Sequence, residues 1–294
     1  MKKLMCVPNV SEGRNAETVR RLADSIREDP DVKLVDLSSD TDHNRSVYSY
    51  LGDPESVLEA TKRLAGLAFE LVDMSTHTGS HPRMGAVDVV PFIPVGSTTT
   101  EEAVEIARRF GKFVGEKGIP VYYYEDAATS PQRASLVDVR MGEYEGLAAK
   151  LEDPAWAPDE GPAVFNAATG SVQVAARFPL VAFNVNLRTD DLEIATRIAR
   201  AVRHKDGGYR HVRAMGLALQ GTGMVQVSMN LTNYEGTPIP RVLETIRSEA
   251  ARHGVAVVGA ELVGPVPIRA LEEVVKQYLQ VHDFSVAQII EMNM

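Results

Sequence analysis

One order of predicted elements, strand–helix–strand–strand–helix–strand, occurs twice along this chain of 294 residues. That order suits a ferredoxin-like unit, in which helices cover one face of a sheet. Hydrophobic periodicity predicts the first copy at residues 4–9, 15–29, 32–37, 45–51, 54–71 and 86–95. It predicts the second copy at residues 180–187, 190–202, 212–220, 224–231, 240–253 and 255–263. We therefore expect an α+β protein with two ferredoxin-like (βαββαβ) subdomains.

The segment between the two copies is predicted to extend the first one. It comprises a helix from a capping box at Thr98 and Glu101 to about residue 117, a strand at 119–124, a short helix at 142–151 and a surface loop at 152–161. The restart of the pattern divides the chain into an N-terminal subdomain, residues 1–178, and a C-terminal subdomain, residues 179–294. The cleft between subdomains is the expected ligand site.

The charge and the cysteine content exclude several classes of protein. A formal net charge of −9 argues against binding to a nucleic-acid backbone, which needs a basic face. Cys6 is the only cysteine, so no intrachain disulfide forms, and its apolar neighbours predict an inert buried thiol. No apolar run reaches membrane-spanning length, and the N-terminal one is too short for a signal peptide. We therefore expect a cytoplasmic protein without membrane or nucleic-acid partners.

The most informative motif is HPRMGAVD at residues 81–88, in a loop between a predicted helix and a predicted strand. Histidine is the side chain best suited to moving protons near neutral pH, and a following proline biases its backbone toward an extended conformation. His81 is therefore a candidate general acid or base, with a solvated bystander as the alternative. His77 lies four residues earlier, but Gly79 and Pro82 disfavour the helix that a zinc-binding pair would need. No metal is expected.

Other polar loops offer binding groups for small ligands. Asn9 lies just before a predicted helix, whose N-terminus can hold a carboxylate, although a capped loop without a ligand is the simpler alternative. The predicted polar turn 38–44 supplies Asp40 for a cationic group, and Arg45 follows it for an anion; a solvated turn is the alternative. Arg83 in the histidine loop can grip a carboxylate with its forked guanidinium.

The second half of the chain offers weaker signals. Gly170 and Ser171 follow a run of small residues, which lets a flat ligand approach the backbone. Lys205 and Arg210 lie in a basic, glycine-containing loop that either supplies cations to a polyanion or only ends a helix. The pair of glycines at 221–223 is too short for a dinucleotide-binding fingerprint, and no helix follows it. A Rossmann fold is therefore rejected.

Eight segments of the chain together resemble the formiminotransferase family. They are residues 6–15, 44–48, 73–75, 81–95, 142–145, 156–159, 182–187 and 262–267. The resemblance covers essentially the whole chain. It implies transfer of the formimino group from N-formimino-L-glutamate to the co-substrate tetrahydrofolate, in histidine degradation. It also implies two ferredoxin-like halves with a folate-binding cleft between them, and a homodimer.

The resemblance also implies roles for particular residues. The family's catalytic histidine falls on His81, and its folate-contacting segment falls on residues 162–171, where Gly170 is the clear identity. The family's acid in the turn after the second strand aligns with Ser38. Asp40, two residues further on, is taken as its substitute.

The implied mechanism begins with attack of the folate N5 atom on the amidine carbon. One histidine then serves as base and as acid, taking the proton from N5 and delivering it to the departing glutamate amine. The other expected binding groups are Asp40 for the amidinium, Arg45 and Arg83 for the substrate carboxylates, Lys205 and Arg210 for the folate tail, and Asn9, Gly170 and Ser171. Two alternatives remain: formyl transfer between 5-formyltetrahydrofolate and glutamate on the same scaffold, and a non-catalytic folate-binding module.

Overall fold

The chain divides into two compact units, Met1–Arg177 and Phe178–Met294, and each unit has its own sheet. The computed structural model describes residues 2–219 and 221–293, so Gln220, the predicted end of a strand, lies outside the described residues. Among those residues, no helix combines the length and the apolar character needed to cross a membrane. The predicted α+β class is confirmed.

The first unit consists of a seven-stranded sheet with helices packed against it. Its strands are β1 (Lys2–Cys6), β2 (Asn9–Val10), β3 (Val32–Asp40), β4 (Arg45–Gly52), β5 (Val87–Gly96), β6 (Val121–Glu125) and β7 (Val172–Ala176). Its helices are α1 (Ala16–Arg27), α2 (Pro54–Leu71), α3 (Thr100–Glu116), α4 (Leu136–Val139) and α5 (Leu147–Glu152). The first six predicted elements occur in the predicted order, with the first strand broken into β1 and β2.

The strand order of this sheet brings β4, β2, β5 and β7 side by side. β3 pairs with β4, and β4 also pairs with β1 and with β2. On their other side, β1 and β2 both pair with β5. All of these pairings are antiparallel. β7 then lies between β5 and β6 and is parallel to both. No strand was predicted at β7, because all five of its residues are buried and no alternation marks them as a strand.

Two apolar clusters lie on opposite faces of the sheet in the first unit. Successive side chains of a strand point to opposite faces. Tyr123 accordingly packs in the main core with α1, α2 and α3, whereas Tyr122 and Tyr124 pack on the other face with α4 and α5. Val139, the last residue of α4, belongs to this second cluster, so Arg140, which follows it, lies on the face opposite the main core.

The starts of α1 and α3 show how far capping can be deduced from the sequence. Asn15 caps α1 as predicted, and its side chain accepts hydrogen bonds from two backbone amides of the first turn. The capping box of α3 is formed one residue later than predicted, by Thr99 and Glu102. Thr98 instead donates to the carbonyl oxygen of Lys3, which ties the start of this helix to β1.

The second unit has the predicted β-α-β-β-α-β order followed by one further helix. Its elements are β8 (Val181–Leu187), α6 (Leu192–Val202), β9 (Val212–Leu219), β10 (Met224–Leu231), α7 (Ile239–Arg252), β11 (Val257–Val263) and α8 (Ile268–Leu279). The four strands lie in the order β11-β8-β10-β9, and all neighbours are antiparallel. The apolar sides of α6 and α7 pack against this sheet in one core. Helix α8 was not predicted.

Candidate active site

The loop that joins α2 to β5 carries His81 and is fastened to the turn between β3 and β4. The imidazole of His77 donates from Nε2 to the carbonyl oxygen of Asn44 at 3.0 Å. Gly79 passes so close to the turn that a Cβ there would lie 2.2 Å from the carbonyl oxygen of His43. The loop therefore has a defined path, and this path sets the position of His81.

His77 holds the loop rather than offering a reactive group. Its Nε2 is occupied by the carbonyl of Asn44, and its Nδ1 accepts a hydrogen bond from Nε of Arg83 at 3.4 Å. Burial lowers the pKa of His77, and the positive charge of Arg83 lowers it further. Among residues 2–219 and 221–293, no group of three or more His, Cys, Asp or Glu side chains is arranged to hold a metal ion.

The ring of His81 is half-buried and is oriented by one hydrogen bond. Its Nδ1 lies 2.7 Å from the carbonyl oxygen of Pro82. Because a carbonyl oxygen only accepts, Nδ1 carries the hydrogen, and the neutral ring presents the lone pair of Nε2. Burial and then the positive charge of Arg45, with a further contribution from Arg140, lower the pKa of His81 below its usual 6.5. The ring is therefore neutral at pH 7 and able to accept a proton.

A buried carboxylate, Asp88 on β5, holds two arginines on the face of the sheet opposite the main core. It accepts from Nη1 of Arg45 at 2.6 Å and from Nη2 of Arg140. The backbone amide of Met84 donates to its other oxygen at 2.8 Å. Arg45, at the start of β4, also donates from Nε to the side-chain oxygen of Asn9 on β2 at 3.0 Å. The predicted residues Asn9 and Arg45 thus belong to one hydrogen-bonded network.

This network carries one more positive charge than negative charge, because two guanidiniums face one carboxylate. Burial alone would raise the pKa of Asp88, but the charges of Arg45 and Arg140 outweigh it and hold that pKa below its ordinary value. Asp88 is therefore ionised. The excess positive charge is the same charge that disfavours protonation of His81.

Gly170 and Ser171 pack beside the histidine loop, next to this network. Gly170 has φ +65°, and a Cβ there would lie 2.1 Å from the carbonyl oxygen of Met84, so the position needs glycine. The hydroxyl of Ser171, which is fully buried, donates at 2.9 Å to the amide oxygen of Gln173, whose NH₂ donates to Asp88 at 3.1 Å. The structure thus gives both residues a packing role, and their contact with a flat ligand stays a prediction.

Asp40 ends β3, and its carboxylate closes the turn that follows. It accepts from the backbone amides of His43 at 2.7 Å and Asp42 at 2.9 Å. The hydrogen bond from the backbone amide of His43 is the main cause that lowers the pKa of Asp40. The predicted polar turn is shorter than expected, because β3 continues through residues 38–40. Asp40 is an exposed, ionised group near His81.

Arg83 has a partner within the chain that its sequence position did not indicate. Its guanidinium forms two hydrogen bonds with the carboxylate of Glu145, at 2.9 and 2.6 Å, and lies over the ring of Tyr144. The guanidinium of Arg83, which was predicted to bind a substrate carboxylate, is therefore already paired with Glu145. A substrate would have to displace Glu145 to bind there.

Lys205 and Arg210 lie in the second unit and are exposed. Lys205 is the middle residue of the single turn His204–Asp206 after α6, and Arg210 lies two residues before β9. Their predicted role in holding the tail of a folate stays a prediction.

Three residues of the network were not singled out from the sequence: Asp88, Arg140 and Gln173. Asp88 had a usable signal, since it is a charged residue inside the otherwise apolar strand β5, and a buried charge needs a partner. Gln173 similarly interrupts the apolar strand β7. Arg140 had none, because it follows a four-residue helix that no periodicity reveals.

Comparisons with known proteins agree over both units. A family model described as the N-terminal subdomain of the formiminotransferase domain matches residues 3–177, and a model described as the formiminotransferase domain matches residues 182–292.

The chain is 46% identical over 292 residues to a glutamate formimidoyltransferase of Streptococcus pyogenes serotype M1, covering 99% of this chain and 98% of the relative. It is 45% identical over 297 residues to a glutamate formimidoyltransferase of Thermoplasma acidophilum, covering 100% of this chain and 98% of the relative. A formimidoyltransferase-cyclodeaminase of Gallus gallus is 41% identical over 288 residues, which are 95% of this chain and 53% of that protein.

Proposed function

The chain belongs to the formiminotransferase family and transfers the formimino group from N-formimino-L-glutamate to tetrahydrofolate, and we propose that His81 moves the proton in this reaction. The observation that carries the assignment of His81 is its hydrogen bond to the carbonyl of Pro82. That bond leaves Nε2 as a free base, and burial with nearby arginines keeps the ring neutral at pH 7.

The reaction then proceeds through two proton transfers by one residue. N5 of tetrahydrofolate attacks the amidine carbon, and Nε2 of His81 accepts the proton that N5 loses. The imidazolium returns this proton to the nitrogen of glutamate as the bond from that nitrogen to the amidine carbon breaks. The products are 5-formiminotetrahydrofolate and L-glutamate, and the ring is again neutral. Protonation matters because an amine anion is a poor leaving group.

The charged groups around His81 support the handling of charged substrates. The ionised carboxylate of Asp40 suits an amidinium, and Arg45 suits a carboxylate. The remaining proposed binding residues are Asn9, Arg83, Gly170 and Ser171 in the first unit and Lys205 and Arg210 in the second. We propose that the last two hold the glutamate tail of the folate, since both are exposed and cationic.

The test of His81 is its replacement by alanine, which should lower turnover by about 10²–10⁴-fold if the ring shuttles the proton. The matched control is His253→Ala, because His253 is exposed at the end of α7 in the second unit. Thermal unfolding should show that both variants are folded. A folded His81→Ala protein with near-native turnover and an unchanged pH profile would overturn the assignment.

The turnover assay also distinguishes formimino transfer from formyl transfer. Formiminoglutamate with tetrahydrofolate should be turned over faster than 5-formyltetrahydrofolate with glutamate. A protein that binds folate but releases no glutamate would instead be the non-catalytic module.

We further propose that the enzyme is a homodimer in the cytoplasm, as the family resemblance implies. Sedimentation equilibrium tests the first statement: the mass found should be twice the chain mass of 32.1 kDa. Cell fractionation tests the second.

A further inference from the structure

We propose that Arg45 and Arg140, held together by Asp88, form the subsite for the α-carboxylate of the amino-acid substrate. This inference rests on the proposed function and deepens it, because it adds Arg140 as a binding residue and identifies which end of the substrate lies there. Three observations support it: the charge of the network, its unused donor, and its position beside His81.

The charge of the network suits one carboxylate. A guanidinium pair around a single carboxylate leaves one positive charge uncompensated in a site where water is largely excluded. The Arg45 and Arg140 side chains are only 8% and 14% exposed, so bulk solvent screens this charge little. A bound carboxylate would bring the cluster to two positive and two negative charges.

Arg140 also has donor capacity that none of the described residues uses. Its Nη2 is bonded to Asp88, but its buried Nε has no hydrogen-bond partner within the described part of the chain. A buried donor without a partner costs free energy, and guanidinium groups pair with carboxylates through two parallel N–H donors. A substrate carboxylate beside Arg140 would supply the missing acceptor.

The position of the network indicates which carboxylate binds. His81 has to reach the nitrogen that leaves with glutamate, and this nitrogen is bonded to the Cα atom that also bears the α-carboxylate. Both arginines pair with Asp88, which also accepts from the backbone amide of Met84, three residues after His81 in the same loop, and their charges act on the His81 ring. The α-carboxylate therefore falls beside His81, where the two arginines are, whereas two methylene groups separate the Cα atom from the γ-carboxylate.

The first test uses the unaltered protein and three donors. These are formiminoglutamate, N-formimino-4-aminobutyrate, which lacks the α-carboxylate, and N-formimino-2-aminobutyrate, which lacks the γ-carboxylate. Loss of the charge-assisted pairing should lower kcat/KM for the 4-aminobutyrate donor by about 10–100-fold. Equal turnover of that donor and formiminoglutamate would overturn the proposal without any variant having to fold.

The second test uses Arg140→Gln, with Arg140→Lys as the conservative variant. Arg140→Gln should weaken binding of formiminoglutamate, measured by calorimetry without tetrahydrofolate, and should lose the preference for an α-carboxylate while keeping the preference for a γ-carboxylate. The KM for tetrahydrofolate should not change, and Arg140→Lys should recover part of the binding.

Two results would contradict the subsite. One is an unchanged dissociation constant of formiminoglutamate in Arg140→Gln, and the other is a loss of γ-carboxylate preference instead. Because no reaction occurs without tetrahydrofolate, the binding result does not depend on the role of His81. A His81→Ala protein should keep the preference for the α-carboxylate in binding, so failure of the proton shuttle and failure of the subsite are distinguishable.

Discussion

Within residues 2–177, two buried clusters pair arginine with aspartate, and the difference between them separates a structural pair from a ligand site. Arg133 and Asp159 pair one to one at 2.8 Å, with side chains only 10% and 6% exposed. Asp88, by contrast, is shared by Arg45 and Arg140. The first cluster is neutral, whereas the second carries one uncompensated positive charge.

The hydrogen bonds of the neutral cluster are also consumed within the chain. Asp159 accepts from the backbone amide of Tyr123 at 2.8 Å and from the hydroxyl of Thr129 at 2.5 Å. Nη2 of Arg133 donates to the carbonyl oxygens of Ala155 and Ala157. This pair therefore fastens the loop after α5 to β6. Burial of an arginine therefore does not identify a ligand site, whereas an unbalanced charge together with an unpaired buried donor does.

The largest expected effect comes from removing the two carboxylates in turn. Asp88→Asn leaves two buried arginines without a counter-charge, and Asp159→Asn leaves one. Each should lower the free energy of unfolding by about 3–5 kcal/mol, measured by urea denaturation. Only Asp88→Asn should also weaken binding of formiminoglutamate, because it releases the arginines of the subsite. An equal loss of binding in Asp159→Asn would remove the distinction between the clusters.

Replacement of Arg133 and replacement of Arg140 should have opposite consequences. Arg133→Gln should mainly lower stability, whereas Arg140→Gln should mainly weaken binding of formiminoglutamate. Arg133→Gln removes the guanidinium paired with Asp159 and should lower the free energy of unfolding by about 3–5 kcal/mol. Arg140→Gln should change it by about 1 kcal/mol or less, since Arg45 still compensates Asp88. Binding of formiminoglutamate should be weakened only in Arg140→Gln. If Arg140→Gln proved the less stable variant, Arg140 would be structural.

A smaller effect is expected in the pH profile. Protonated His81 cannot accept a proton, so kcat/KM should fall on the acidic side, with an apparent pKa below the usual 6.5 because burial and Arg45 lower the pKa of this ring. Arg140→Gln removes a positive charge that opposes protonation, so the pKa should rise and the acidic limb should move to higher pH. Arg133→Gln should leave the limb in place. If the acidic limb had the same apparent pKa in Arg140→Gln as in the unaltered protein, the charge of Arg140 would have no influence on the pKa of His81.

Much of the fold was predictable because it depends on local signals. The element order of both units follows from periodicity and turn residues, and the cap of α1 follows from Asn15 alone. Strand β7 was not predicted, because it is buried on both faces and therefore lacks the alternation of buried and exposed residues that marks a strand. The capping box of α3 was misplaced by one residue, since Thr98 with Glu101 and Thr99 with Glu102 have the same spacing.

The site was predictable only where a residue carried its own signal. His81 stands out through the proline that follows it and through the family motif. The partner of Arg83 is Glu145, which lies 62 positions away, and only the folded chain brings the two together. The same holds for Arg140, whose pairing with Asp88 spans 52 positions. Charge balance is a property of a cluster, so it becomes visible only once the strands and loops are assembled.

If His81 and the Arg45–Arg140 pair form one site, a ligand on the arginines must change the titration of the His81 ring, which NMR can follow. In the free protein the ring should have a pKa below 6.5, because burial and the positive charges of Arg45 and Arg140 lower it. Adding N-acetyl-L-glutamate or N-acetyl-2-aminobutyrate, whose nitrogens carry no charge, should raise this pKa, because an α-carboxylate on the arginines neutralises their excess charge. The rise should be absent with N-acetyl-4-aminobutyrate and in Arg140→Gln. A pKa of His81 that does not change with N-acetyl-L-glutamate, or that rises equally with N-acetyl-4-aminobutyrate, would show that the arginines do not hold an α-carboxylate beside His81.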